Sequence, residues 1–480
     1  MAAATLNEDL VKEDIQGLLR RGYGHLPTAD FLLLRIVEPS RAAAWLDRLA
    51  DEVTNAAGKS RGTAVNVALS LSGLSKLGLP SSALEGFSGR FLEGMTASYR
   101  SRALGDLDDD APEHWRWGGP DTAPVDLLVL LYAKNEDLLK RLNEELAGGL
   151  ATDGLTLVQR LDTQWSEREH FGFRDGIAQP AVKGLRDGSP LDAIKAGEFV
   201  LGYRNEYGLL AERPLVHQSA DPGGILPPAS LSENSQDPAS EDRDLGRNGS
   251  YLVLRQLSQD VSGFWAFVDR ASCRAYGHSD PAARTKLAAK IVGRWPDGSP
   301  LVLSPDSEDQ GPDDDFRYHH IDPHGLRCPV GAHIRRTHPR DSLDPDPGSE
   351  RSVEVDKRHR ILRRGRTYGA PLSREAALNG THHEDEERGL HFICLCANIA
   401  RQFEFVQHTW ANNPKFGGLD DDPDPLIGRA GRAFTVQAEP VSRRVTGLPS
   451  FVGMRGGAYF FLPGLRALRY LASLAPGEGG

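Results

Sequence analysis

The amino-acid sequence predicts an α+β fold, in which strands and helices follow one another along the chain. Two patterns lead to this prediction. Short apolar runs of strand length alternate with stretches whose apolar residues recur at helical spacing. The same order of strands and helices then returns in the second half. A length of 480 residues leaves room for more than one folding unit, or for one fused pair.

The first half has the clearer order of elements. Apolar runs predict four strands, at Asp30–Glu38, Thr63–Ser70, Val125–Ala133 and Leu155–Trp165. An amphipathic helix capped by Ser40 follows the first strand, and another spans Asn135–Ala147. If the short helical patterns after the second strand are an insertion, the order is β-α-β-β-α-β. That order is the ferredoxin-like motif, an antiparallel sheet with helices on one face.

The second half resembles a looser copy of this order. Its strands are predicted at Ser250–Gln256, Leu390–Ala397 and Ala458–Leu462, and its helices at Val261–Ala271, Ile399–Trp410 and Leu465–Leu474. We therefore predict two ferredoxin-like domains, residues 1–210 and residues 211–480. The second domain is enlarged by two predicted surface loops, the Pro- and Ser-rich stretch Glu212–Asp244 and the acidic stretch Ser304–His324.

The composition excludes several classes of function. Lys and Arg number 56 against 67 Asp and Glu, which gives a formal net charge of −11 and argues against nucleic acid or anionic lipid as a partner. Four cysteines are too few for a disulfide framework. The first residues lack the pattern of a secretory signal and no apolar run is long enough for a bilayer, so we expect a cytoplasmic protein.

The first segment with chemical potential is Phe171-Gly-Phe-Arg-Asp-Gly-Ile-Ala-Gln-Pro180, which contains Asp175. A carboxylate among aromatic residues is costly to bury, so Asp175 is expected to have a task or a fixed partner. The same Gly-x-x-Asp-Gly pattern recurs around Asp187. There the neighbours are charged and a Gly-Ser-Pro sequence follows, which is typical of an exposed turn.

Two further segments carry histidine and arginine. Cys328-Pro-Val-Gly-Ala-His-Ile-Arg-Arg-Thr-His-Pro-Arg340 places His333 among small residues and before a basic cluster, in which Arg335 could pair with a bound anion. Arg360-Ile-Leu-Arg-Arg-Gly-Arg-Thr-Tyr368 alternates like a strand, with Arg363 and Arg364 on opposite faces. One of the two arginines must then point inward and needs a negative partner.

These three segments, in this order, resemble the dye-decolourising haem peroxidase family, and most closely its larger subclass with extended loops. The resemblance covers nearly the whole chain. It includes Gln16–Gly24, Gly197–Tyr203, Asn205–Gly208, Asp244–Tyr251, Thr409–Asn413 and Arg455–Phe461. Together these motifs are highly specific.

The resemblance implies two ferredoxin-like domains with one haem b in the C-terminal domain. It implies that His333 is the proximal haem ligand and that Arg335 pairs with a haem propionate. On the distal side it implies that Asp175 is the acid and Arg363 the arginine. The activity implied is reduction of hydrogen peroxide coupled to one-electron oxidation of bulky organic reductants, such as anthraquinone and azo dyes and phenols.

Three points stay open in the sequence. A non-catalytic protein that stores, carries or senses haem would keep His333 but would not need Asp175 and Arg363 together, and a haem-free interaction module would need none of the three. The carboxylate that should orient His333 is not identified, although Glu404 is considered. Tyr368 is a candidate surface residue for electron transfer from bulky dyes, because the resemblance places a tyrosine there; a packing tyrosine is the alternative.

Overall fold

The computed structural model describes residues 9–60, 62–188, 193–229, 241–308, 310–380, 386–429 and 433–474. Four long strands build the first half: β1 (Thr28–Ile36), β2 (Thr63–Leu69), β3 (Leu127–Ala133) and β4 (Leu155–Asp162). Its helices are α1 (Pro39–Glu52), α2 (Leu71–Lys76), α3 (Ser81–Leu84), α4 (Gly89–Glu93), α5 (Ser98–Leu104) and α6 (Glu136–Ala147).

The first half has the predicted ferredoxin-like topology. Its strands lie in the order β2-β3-β1-β4, and every neighbouring pair is antiparallel. Helix α1 joins β1 to β2 and α6 joins β3 to β4, while α2 to α5 form the predicted insertion. Helix α1 begins at Pro39, so Ser40 lies within its first turn and the prediction of Ser40 as N-cap is wrong. Asn135 does cap α6, because its side chain accepts the Leu138 N–H.

The rest of the chain, from β5 onward, contains more elements. Its strands are β5 (Ala181–Val182), β6 (Ala193–Ile194), β7 (Leu215–His217), β8 (Asp242–Asp244), β9 (Ser250–Gln259), β10 (Leu362–Arg363), β11 (Arg366–Tyr368), β12 (Gly389–Cys396), β13 (Ala433–Val436), β14 (Arg443–Thr446) and β15 (Val452–Leu462). Its helices are α7 (Val261–Tyr276), α8 (Pro281–Val292), α9 (Tyr318–Ile321), α10 (His333–Thr337), α11 (Glu350–Lys357), α12 (Arg374–Asn379) and α13 (Leu465–Ser473). Two π-helical segments, Ala400–Glu404 and Val406–Ala411, follow β12.

The main sheet of the second half repeats the first arrangement. Its strands lie in the order β15-β9-β12-β10, and β11 also pairs with β12. With β10 and β11 taken together as the second strand, the order matches that of the first half. The two halves join where Phe461 of β15 pairs with Leu69 of β2, so one nine-stranded sheet runs through the protein. This architecture confirms the predicted α+β class, while the boundary at residue 210 stays a prediction.

Both faces of the sheet are buried, which explains why its strands appear as continuous apolar runs. In β1, Leu32 and Leu34 pack in one core and Phe31 and Leu33 in the other. Side chains of a strand alternate between its two faces, so each core receives every second residue. Helices α1, α6 and α13 cover the first core, and segments from residues 15–26, 182–185 and 194–203 cover the second.

Alternate side chains of β9 lie on the helix-covered face of the sheet, and some of them line a cavity. Tyr251 and Val253 lie in the core beneath the helices. Arg255, Leu257 and Gln259 have the same parity and line a cavity farther along the strand. The sheet thus forms the floor of a pocket in the second half.

The acidic stretch Ser304–His324 is only partly the surface loop predicted from its composition. Phe316, Tyr318 and Asp322 are buried, each with no more than 4% of its surface exposed. They pack against the arginines around His333, where Arg335 lies over the Tyr318 ring. Within the parts of the chain given above, no helix is both long and apolar enough to cross a membrane.

Candidate active site

A cavity of about 480 Å³ collects residues from all three segments singled out in the sequence. Asp175 reaches it from the loop after β4, Arg363 from β10 and His333 from α10. Its size is within the range of small-molecule and cofactor sites. The chain therefore brings Asp175, Arg363 and His333 together although they are far apart in sequence.

His333 is the first residue of α10 and is held by a buried carboxylate. Its Nδ1 lies 2.9 Å from Oδ2 of Asp424, whose side chain is fully buried. Asp424 is fixed in turn, because its Oδ1 accepts the backbone N–H groups of Leu426 and Ile427. Burial lowers the pKa of His333, but Asp424 more than offsets this effect and the net pKa is raised.

This hydrogen bond leaves one ring nitrogen available. An ionised carboxylate can only accept, so Nδ1 of His333 carries the proton and donates it to Asp424. In the neutral ring Nε2 is then unprotonated, and it makes no hydrogen bond to any residue that the structure describes. A neutral histidine whose second nitrogen is held by a carboxylate is the usual form of a metal-ligating histidine.

Asp175 and Arg363 form the second pair at the cavity. Nη1 of Arg363 donates to Oδ1 of Asp175 at 2.7 Å, and the Gly176 N–H donates to the same oxygen at 2.6 Å. Oδ2 of Asp175 has no hydrogen-bond partner within the described ranges. The Asp175 side chain is 43% exposed, and it lines the cavity.

The pair stays charged because each partner supports the other. Burial raises the pKa of Asp175, but the Arg363 guanidinium and the Gly176 N–H outweigh it and the net pKa is lowered. The Asp175 charge raises the pKa of Arg363. The charge of a protonated His333 also lowers the pKa of Asp175, so the two pairs are near enough to interact electrostatically.

The structure distinguishes the members of the two pairs between which the sequence left a choice, the two aspartates and the two arginines. Asp187, in the second Gly-x-x-Asp-Gly pattern, is exposed and does not line the cavity, in contrast to Asp175. Arg364 points away from Arg363, as the alternation predicts, and donates to the carbonyl oxygens of Leu18 and Leu19. Arg363 thus has a negative partner, whereas the more deeply buried Arg364, 6% exposed, donates to backbone carbonyls instead of the expected carboxylate.

Arg335 is not brought to the cavity, and its position argues against the predicted propionate contact. Its guanidinium donates to the carboxylate and carbonyl of Asp322 and to the Cys328 carbonyl, and it is 2% exposed. Residues two apart on a helix point in different directions, so Arg335 cannot share the direction of His333 on α10.

Other basic groups line the cavity instead, among them His338, Arg340 and Arg360. Nη1 of Arg360 lies 2.6 Å from Nε2 of His338, so Arg360 donates and the proton of His338 resides on Nδ1. That Nδ1 is buried and has no partner among the described residues. Burial and the charges of Arg360 and Arg340 hold the pKa of His338 well below its usual value. A neutral N–H donor beside two arginines is suited to an anionic acceptor.

Tyr368 is buried, so the prediction of a surface residue is wrong. It is 8% exposed, its hydroxyl donates to Glu387 at 3.2 Å, and its ring stacks on His391 with centroids 4.5 Å apart. Burial and the neighbouring Glu387 raise the pKa of Tyr368. Its role in electron transfer stays a prediction, and the packing alternative stays open.

Asp424 is the site residue that sequence reasoning missed. It lies in a run of aspartates and prolines, Leu419-Asp-Asp-Asp-Pro-Asp-Pro425, which has the composition of a solvated turn. Glu404, considered from the sequence, instead binds Arg100 and accepts the Tyr459 hydroxyl at 2.9 Å.

Curated relatives resemble the chain over most of its length. A dye-decolourising peroxidase of Mycetinis scorodonius is 30% identical over 439 residues, which cover 86% of this chain and 77% of the relative. A multifunctional dye peroxidase of Amycolatopsis sp. is 33% identical over 315 residues, 63% of this chain and 61% of the relative. No protein-family model matches the chain.

A solved structure supports the fold. A variant of a dye-decolourising peroxidase from Auricularia auricula-judae superposes with a TM-score of 0.76, at 24% identity, over 97% of this chain and all of the other. The sequence similarity to the Mycetinis scorodonius relative at 30% identity establishes the kinship. The chain belongs to the family of dye-decolourising haem peroxidases.

Proposed function

We propose that this protein is a peroxidase that binds one haem b in the cavity, reduces hydrogen peroxide and oxidises organic reductants in one-electron steps. One observation carries the proposal. A histidine held by a carboxylate and an aspartate paired with an arginine line the same cavity. A ligand to iron and an acid–base group for peroxide are the two parts that such a site needs.

The residues of the cavity fit a haem. Nε2 of His333 is available for iron, and Asp424 fixes the orientation of the ring. His338, with its unpartnered buried Nδ1, and the neighbouring Arg340 and Arg360 would hold the propionates. When bound, the haem supplies the redox chemistry, taking electrons from a reductant one at a time and delivering them to peroxide.

The distal residues handle the proton. Oδ2 of Asp175 is the free oxygen of an ionised carboxylate and would take a proton from the bound peroxide. The proton returns to the oxygen that departs as water, and Arg363 stabilises the negative charge that builds up there. In the complete reaction hydrogen peroxide takes up two electrons and two protons and gives two water molecules. Each electron comes from one molecule of reductant.

The reductants proposed are dyes and phenols. The relatives from Mycetinis scorodonius and Amycolatopsis sp. are named for activity on dyes, and we extend that activity to this chain. Several apolar side chains line the cavity, including Leu257, Phe392 and Met454, so an aromatic reductant of small size would find apolar contacts there.

A two-part experiment tests the proposal. The purified protein, reconstituted with haem, should show a Soret absorption band, and it should oxidise an anthraquinone dye only when peroxide is added. A Soret band without dye or phenol oxidation would indicate the non-catalytic haem-binding alternative. Absence of haem binding would contradict the proposal altogether.

A further inference from the structure

Asp175 lies at the end of a short hairpin, residues 167–175, called here the distal hairpin. The Asp175 N–H donates to the Glu167 carbonyl at 3.3 Å, and the Glu169 N–H donates to the Phe173 carbonyl at 3.0 Å. Gly172 turns the chain at the tip with a φ of +100°, a conformation that favours glycine. The position of the Asp175 carboxylate therefore depends on the geometry of this hairpin.

The carboxylate of Glu169 closes the tip of the distal hairpin. Its Oε2 accepts the Phe171 N–H and its Oε1 accepts the Phe173 N–H, each at 2.9 Å. Oε2 also accepts Nε2 of Gln259 on β9, at 2.8 Å. One side chain thus ties the hairpin to itself and to the sheet that forms the cavity floor.

The apolar surroundings make these contacts hard to replace. Phe171 and Phe173 are each 3% exposed, and the Phe171 ring packs on Phe264 with centroids 4.5 Å apart. Backbone N–H groups in such a place need an acceptor, and water has little access to supply one. Glu169 is the residue that provides it.

The position of Glu169 is also unfavourable for a carboxylate. Burial, with a smaller effect from the charge of Asp175, raises the pKa of Glu169 to about 7 against the lowering effect of its three N–H donors. A partly buried acid beside another acid is retained at a cost in stability. The mechanism proposed above assigns it no step.

We propose that Glu169 is a positioning residue, whose carboxylate fixes the backbone from Phe171 to Phe173 and thereby holds Asp175 against Arg363. This inference rests on the proposed function, because it assigns Glu169 a part in the reaction of Asp175 with peroxide. A misplacement of a reacting group by about 1 Å lowers a rate by about 10²-fold. By holding the distal hairpin in place like a clamp, Glu169 therefore contributes to the rate of reaction with peroxide.

Gln259 is suited to both charge states of Glu169. Its Oε1 is buried and has no partner in the described part of the chain. If the amide turned over, Oε1 would accept a hydrogen bond from the O–H of a neutral Glu169 carboxyl group, while Nε2 donates to the ionised form in the present orientation. The clamp is thus expected to persist on both sides of neutral pH.

Two substitutions of Glu169 test the clamp in the haem-loaded protein. Glu169→Gln keeps one acceptor oxygen and so loses one of the two backbone hydrogen bonds, while Glu169→Ala loses both. We expect the rate constant for reaction with peroxide to fall about 10-fold and up to about 10²-fold, respectively, at equal haem content. Asp221→Asn is the matched control, since Asp221 is a buried carboxylate that accepts the N–H groups of Ile225 and Leu226 in another loop.

A double-mutant cycle shows whether Glu169 acts through Asp175. In an Asp175→Asn background, Glu169→Ala should cause no further loss, because the group that it positions is no longer a base. An equal loss in both backgrounds, or no loss with Asp175 intact, would overturn the inference. If Asp175→Asn alone left the rate unchanged, the proposed function would fail instead.

Hydrogen exchange gives a readout that does not depend on turnover. The amides of Phe171 and Phe173 should exchange faster in Glu169→Ala than in the wild-type protein, and should be unchanged in Asp221→Asn. Equal protection of these amides with and without the Glu169 carboxylate would show that it does not hold the hairpin, whatever the peroxide kinetics.

Discussion

His333 and Asp424 are joined by a hydrogen bond of 2.9 Å across 91 positions of the chain. The histidine begins a five-residue helix, and the aspartate is locked by two backbone N–H groups of its own loop. The bond fixes both the orientation of the ring and the nitrogen that carries its proton. It is therefore the relationship that defines the proximal side of the proposed haem site.

The variant Asp424→Asn should weaken the binding of iron by His333 without removing His333 itself. An amide cannot draw positive charge onto the ring as a carboxylate does, so the histidine becomes a poorer donor to ferric iron. We expect about 10–100-fold lower iron affinity or activity, together with a more positive reduction potential of the bound haem. A potentiometric titration measures that potential. Asp422→Asn is the control, because Asp422 is equally buried but binds the Thr435 N–H; an identical shift in both variants would contradict the assignment of Asp424.

Two histidines line the cavity, and their substitution should have different effects. His333→Ala removes the proposed protein ligand to iron, so the variant should lose most of its haem. His338→Ala removes a proposed contact to a propionate, so haem should bind more weakly but with the wild-type Soret maximum. Absorption spectra during titration with haem distinguish the two. Full occupancy and an unchanged spectrum in His333→Ala would refute the ligand assignment.

The Asp175–Arg363 pair predicts a shift in the pH profile. The rate of reaction with peroxide requires ionised Asp175, and Arg363 holds the pKa of that carboxyl below its usual value while burial acts in the opposite direction. In Arg363→Leu that positive charge is absent, so burial raises the pKa of Asp175. As the pH is lowered, the rate should therefore begin to fall at a higher pH than in the wild type.

Arg363→Lys provides the comparison, because it retains the positive charge. Its rate should fall at the same acidic pH as that of the wild type, while its maximal rate should be lower. The other charged groups that act on Asp175, Glu169 and His333, are unchanged in both variants. An acid limb that moved to lower pH in Arg363→Leu would contradict the electrostatic account.

Tyr368→Phe tests whether the buried tyrosine carries electrons. The substitution keeps the ring that stacks on His391 but removes the hydroxyl that donates to Glu387, the acceptor for a proton lost on oxidation. We expect slower turnover of large anthraquinone dyes, with peroxide reactivity and oxidation of small phenols nearly intact. Steady-state assays on both substrate classes check this. Tyr470→Phe, on α13, is the control, because Tyr470 is another buried tyrosine. If Tyr368→Phe turned over both substrate classes at the wild-type rate, Tyr368 would be a packing residue.

The strands, and Asp175 and Arg363 as residues that meet at the cavity, were predicted from the sequence because both depend on local signals. Continuous apolar runs mark β1, β3 and β9 without knowledge of the partner strand. Asp175 and Arg363 were recognised from their surrounding motifs, and the choice between Asp175 and Asp187 followed from the aromatic and charged neighbours. The resemblance to a known family added the roles.

The remaining site residues depend on the tertiary fold, which local patterns do not contain. Asp424 has the sequence environment of a turn, and only the folded chain brings it to His333. Arg335 was chosen as the propionate partner through the resemblance, but in the fold it binds Asp322, because two residues along a helix point apart; its contact with a propionate stays a prediction. Tyr368 lies in a short edge segment whose covering groups, such as Glu387, come from elsewhere in the chain.

The rate constant for the reaction of Asp175→Asn with hydrogen peroxide, measured by stopped flow at matched haem content, tests the central claim most directly. An asparagine keeps the shape of the side chain but cannot accept the proton, so the rate should fall by about 10²–10⁴-fold. Asp187→Asn, in the exposed copy of the motif, should react like the wild type. A wild-type rate in Asp175→Asn, or a loss found in Asp187→Asn instead, would contradict the account.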